Sequence, residues 1–87
     1  MAISKKLLER LLSNPKDFTF KELGTLLSGY GFLLSNAGGT SGSAVRFINE
    51  KTGQIIRLHK PHPSPVLKQY LVKFIINELK QGGYLNG

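Results

Sequence analysis

Two short alternating segments joined by one turn restrict this chain more than any other feature. From Ala44 to Ile48, apolar Val45 and Phe47 point to one side, and Ala44, Arg46 and Ile48 to the other. From Gln54 to His59, Ile56 and Leu58 share one face, and Ile55, Arg57 and His59 share the opposite one. Between them Asn49-Glu50-Lys51-Thr52-Gly53 supplies a hairpin connection, with Gly53 able to take the positive φ that closes it. Residues 32–36 (FLLSN) add a strand before these two. Three consecutive strands with short links predict an antiparallel meander, covered by helices on one face and open on the other.

The helices are legible from their apolar stripes. Ile3, Leu7, Leu8, Leu11 and Leu12 fall at helical spacing, with Lys5, Lys6, Glu9 and Arg10 on the other face, and Asn14-Pro15 stops the segment. This extension, residues 1–15, is expected to pack on the domain's own core; a separate partner-binding helix is the alternative. Thr19-Phe20-Lys21-Glu22 reads as a capping box opening a second helix, whose stripe is Phe20, Leu23, Leu26, Leu27 and Tyr30 and which Gly29 and Gly31 end. Pro61, Pro63 and Pro65 predict a rigid extended arm. The arm leads to a last helix from about Val66 to Gln81 with a main stripe of Leu67, Tyr70, Leu71, Phe74, Ile75 and Leu79. Val66, Val72 and Ile76 form a flank expected to meet the first helix. Gly82-Gly83 stops this helix, and Tyr84-Leu85 is placed to fold back on the core. The expected fold is therefore α+β, in the order α-α-β-β-β-α, as one domain over residues 1–87.

Composition narrows the chemistry. Twelve Lys+Arg against five Asp+Glu give 87 residues a net charge of +7, for which nucleic acid is the obvious counter-charge. An acidic protein partner and a merely soluble basic surface remain as other readings. With no Cys there is no disulfide and no thiolate zinc site. Two histidines alone leave a zinc site short of ligands. The carboxylates are scattered, which leaves two-metal hydrolysis without support. No metal or cofactor is expected. No apolar run approaches the ~20 residues of a membrane helix, and no secretory signal is visible, so the chain reads as soluble and cytoplasmic, without membrane contact.

The candidate site lies where the second strand begins and the third ends. Residues 38–43 (GGTSGS) form a glycine- and hydroxyl-rich loop whose backbone N–H groups can approach a phosphate, with Thr40, Ser41 and Ser43 as further donors beside Gly42. It is not a P-loop, because no Gly-Lys-Ser/Thr follows, and not a dinucleotide fingerprint, because no helix opens after it. Arg46 and Arg57 sit on adjacent strands, where guanidinium forks suit phosphate; solvated surface arginines are the alternative. His59, Lys60 and His62 follow, and Lys51 and Lys68 are expected to flank the same end. Imidazole is the side chain that exchanges protons near neutral pH. For His59 a plain strand-end surface residue is the preferred reading, and for His62 a turn residue bonding local backbone is an equal alternative.

Gly42-Ser43, a strand, a turn, Pro61-His62-Pro63 and a closing helix, in this order over residues 19–85, resemble the HicA toxin family. The resemblance implies a double-stranded-RNA-binding-domain-like α-β-β-β-α core preceded by the extension. It also implies a metal-independent endoribonuclease acting on mRNA, and a HicB-like antitoxin as partner. Family members commonly carry a catalytic His directly after Gly-Ser, where this chain has Ala44. The resemblance then implies an RNA-binding chain with its cutting activity lost, whether Ala44 is an engineered knockout or a natural variant. A non-catalytic double-stranded-RNA-binding module, and a protein-interaction domain for an acidic antitoxin, are the competing readings.

Overall fold

The computed structural model describes residues 5–36, 44–61 and 64–85. Along the chain lie α1 (Lys5–Leu12), α2 (Phe20–Gly29), β1 (Phe32–Asn36), β2 (Ala44–Asn49), β3 (Ile55–His59) and α3 (Gln69–Gln81). The three strands form one antiparallel sheet in the order β1-β2-β3, so the expected α+β meander is the observed one. Val45 and Phe47 of β2 and Ile56 and Leu58 of β3 are buried, whereas Ile55, Arg57 and His59 are exposed. The buried side chains of all three helices join the inner sheet face in a single core.

The extension belongs to that core. Leu11 is fully buried, and Leu7 and Leu8 pack at its edge. Asn14 ends α1 by adopting φ 55°, a left-handed conformation that asparagine tolerates better than most residues. Arg10 is not a solvated cation: its Nε donates to Glu22 Oε2 at 2.9 Å and its Nη2 to the Asp17 carbonyl oxygen at 3.0 Å. Glu22 is also half of the capping box. It accepts from the Thr19 backbone N–H at 3.0 Å, while Thr19 Oγ1 accepts from the Glu22 N–H at 3.1 Å. One carboxylate thus ties α1 to the start of α2.

Two results should follow. Thr19→Ala is expected to lower stability by about 1 kcal/mol, read as a fall in Tm of roughly 4–8 °C. The Arg10 guanidinium, and then the Thr19 N–H, hold the Glu22 carboxyl below its ordinary pKa. The folded value being depressed, its contribution is complete above the unfolded carboxylate pKa of about 4.3 and is lost as pH falls through the folded value. Glu22→Gln should flatten the acid limb of a Tm-versus-pH curve; an unchanged limb would remove Glu22 as its source.

The β2–β3 turn is built on Asn49, which is buried at 1% exposure. Its Oδ1 accepts from the N–H groups of Lys51 and Thr52, and its Nδ2 donates to the Tyr30 carbonyl oxygen at 2.9 Å. Gly53 closes the turn at φ 78°, as its position suggested. The turn is then fastened to the end of α3, where Gln54 Nε2 donates to the Glu78 carbonyl oxygen and Thr52 Oγ1 meets the Tyr84 hydroxyl at 2.7 Å. Tyr84 folds back as expected, with its ring centroid 5.4 Å from those of both Tyr30 and Phe32.

Two expectations for the last helix need correction. It begins at Gln69 rather than Val66, because the backbone before it is already committed. Pro65 accepts from the Phe20 N–H at 2.9 Å and Leu67 donates to the Phe18 carbonyl at 2.7 Å, holding Val66 in an extended bridge to Thr19. The buried stripe is Val72, Ile75 and Leu79, while Tyr70 is 66% and Phe74 37% exposed. Because α3 packs on α1 as well as within the sheet's core, Val72 of the expected flank is buried beside Ile75 and Leu79 of the expected stripe, Val66 and Ile76 are half-buried, and Tyr70 and Phe74 turn outward.

Candidate nucleic-acid interface

The register arranges the open sheet face in rows. Leu33, Ile48 and Ile55 pair across all three strands as an apolar row. Ser35, Arg46 and Arg57 form the next, and Ala44 paired with His59 the one after it. Residues two apart on a strand share a face, so these rows are neighbours. Like charges placed directly opposite each other destabilise a sheet pair. The facing arginines are therefore unfavourable for the fold alone and are suited to an anion that both can reach.

No carboxylate among the described residues relieves them. Glu9 lies on α1, Asp17 and Glu22 are engaged with Arg10, Glu50 is in the hairpin turn and Glu78 is on α3. Neither Arg46 nor Arg57 joins an ion pair among the described residues. Arg46 is half-buried, and its Nε is shielded from solvent without a hydrogen-bond partner among those residues. A shielded donor left unpaired costs about 1–3 kcal/mol.

The sequence reading is met in part. Ala44, Arg46, Arg57 and His59 do converge on one face. Lys60 does not join them: alternation turns it to the helical side, where its ammonium lies 5.7 Å from the Phe20 ring centroid. Lys51 is corrected more fully, because the hairpin turn that carries it is at the opposite end of β3 from His59. Ser41, Gly42, Ser43 and His62 lie outside the described residues. Of the glycine-rich loop only its place in the sequence, directly before Ala44, bears on the site.

A second concavity adjoins this face. Between the end of β3, Pro61 and Ser64, and the start of α3 runs a groove of about 520 Å³, with His59, Lys60, Lys68, Tyr70 and Leu71 among its walls. Helical spacing places Tyr70 in the buried stripe, which conceals this groove from the sequence. A Tyr followed four residues later by Phe74 on an otherwise polar side of α3 was the signal available. His59 belongs to both the open face and the groove. Among the described residues no group of three His, Cys, Asp or Glu side chains could hold a metal ion, and no helix is long and apolar enough to cross a membrane.

The fold and face define a small α+β domain with a basic, carboxylate-free sheet surface. No protein-family model matches the chain, and neither curated proteins nor solved structures show a significant match to it.

Proposed function

We propose that this chain is an RNA-binding domain of the HicA toxin type, with a double-stranded-RNA-binding-domain-like core and a vacated catalytic position at Ala44. The observation that carries the reading is the direct pairing of Arg46 with Arg57 on a face without carboxylates. Two guanidinium forks a strand apart can hold a phosphate bidentately, and the register sets Ala44 and His59 beside them. Ala44 neither donates nor accepts a proton, so the chain binds RNA without cutting it. A HicB-like acidic antitoxin in the cytoplasm would cover the same surface, its carboxylates on the arginine row and its apolar side chains on Leu33, Ile48 and Ile55.

Affinity for a labelled RNA tests this. Arg46→Ala combined with Arg57→Ala should weaken binding at least about tenfold, the loss of one charge-assisted bond being worth roughly 1.5–3 kcal/mol. Lys5→Ala combined with Lys6→Ala, which removes the same charge from α1, should change affinity much less. Equal losses in the two pairs would mean that RNA is held by net charge and not by this face.

A further inference from the structure

We propose that the groove between β3 and α3 holds one unpaired nucleotide of a single-stranded RNA, its base against the Tyr70 ring and its phosphate between the Lys60 and Lys68 ammonium groups. This rests on the reading of the chain as an RNA-binding domain and adds the strandedness of what it binds.

The lining sets the ligand's chemistry. Pro61, Val66 and Leu71 give an apolar floor, Tyr70 a ring that is 66% exposed, and Lys60, Lys68 and His59 a basic rim without a carboxylate. Such a cavity suits a ligand with a flat apolar body and an attached anion. About 520 Å³ lies within the range of small-molecule sites and is far too small for a duplex. Lys60 is held to this side of the sheet by the Phe20 ring, 5.7 Å from its ammonium. Exposed aromatic rings beside cations are how proteins hold unstacked bases without reading their sequence. Continuity points the same way. His59 lines the groove and also pairs with Ala44 in the row next to the arginines, so a strand whose phosphates cross Arg46 and Arg57 runs on into the groove. A base inside a duplex is stacked and cannot enter it.

The full chain should be titrated with a uridylate hexamer, a blunt RNA duplex, an acidic peptide and uridine monophosphate, following backbone amide shifts by NMR and affinity by anisotropy. Tyr70→Ser should weaken hexamer binding by about five- to a hundredfold, leave duplex binding unchanged and leave the melting curve near that of the parent. Tyr70→Phe should restore the affinity. Lys60→Ala with Lys68→Ala should weaken the hexamer and reduce its salt dependence. Hexamer affinity untouched by Tyr70→Ser, equal losses for hexamer and duplex, or an acidic peptide displacing the hexamer from Tyr70 would each overturn the proposal while leaving RNA binding by the sheet intact. If the parent binds no RNA, the functional reading fails first, and the groove is judged by uridine monophosphate alone. Shifts confined to Tyr70, Lys68 and their neighbours would then leave a mononucleotide site and overturn its place on an RNA strand, and their absence would overturn both.

Discussion

Replacing Ala44 with histidine is expected to make this chain a metal-independent ribonuclease that arrests growth, while the chain as it stands is tolerated. Strand pairing places residue 44 directly opposite His59, at a general Cα separation of about 4.5–5.5 Å, and two residues before Arg46 on the same face. Cleavage needs a base to take the 2′-OH proton, an acid to protonate the leaving 5′-oxygen, and cations to stabilise the phosphorane between them. Two imidazoles facing each other beside two guanidinium groups would supply every part. Ala44 supplies none of the proton transfer, and one such group is worth roughly 10²–10⁴-fold in rate. The expected products carry 2′,3′-cyclic phosphate ends, form in the presence of a chelator, and are lost again in Ala44→His with His59→Ala. If Ala44→His folds, binds RNA and cuts nothing, the ribonuclease part of the reading fails and a non-catalytic binding module replaces it.

Phe47→Ala should bring the domain close to unfolding. Phe47 is 1% exposed, lies between Leu34 and Ile56 in the register, and has its ring centroid 5.9 Å from that of Phe20. It is thus the central side chain of the inner sheet face and meets the Phe20 ring at the start of α2. Truncating a buried Phe typically costs about 3–5 kcal/mol. A domain of this size has roughly 4–13 kcal/mol in all, at 0.05–0.15 kcal/mol per residue. Ile48 is the internal control, because it is next in sequence but on the open face and only half-buried. Ile48→Ala should cost about 1 kcal/mol or less. Urea unfolding of both variants measures the difference; equal midpoints would mean that the inner and outer faces have been assigned wrongly.

Much of this was readable from the residues because each local signal agreed with the next. Alternation in Val45–Arg46–Phe47 and Ile56–Arg57–Leu58 settled which face is buried, and the glycine at 53 settled where the hairpin closes. Thr19 and Glu22 announced the start of α2. What stayed hidden depends on contacts far apart in sequence. Nothing near Val66 reveals that residues 65–67 pair with residues 18–20 and delay α3 to Gln69. The exposure of Tyr70 follows from how α3 shares its buried face between α1 and the core, and it leaves the Tyr70 ring at the groove. Arg10 reads as a surface cation until Glu22 is brought to it. Asn49 reads as a turn residue, and its burial under Tyr30 and Gly31 appears only when α2 and β2 meet. For the site, sequence could place Arg46 and Arg57 on one face, but their direct opposition is a matter of register.

The most direct test of the arginine row is the salt dependence of RNA binding. Neutralising one phosphate on a single strand contributes about 0.7 to the slope of log K against log salt concentration. If Arg46 and Arg57 together hold one phosphate, the Arg46→Ala, Arg57→Ala chain should bind with a slope shallower by about 0.7, and Lys5→Ala, Lys6→Ala should leave the slope close to that of the parent. A parent affinity that does not change with salt, or a slope identical in the parent and the double arginine variant, would contradict the assignment of this face to RNA.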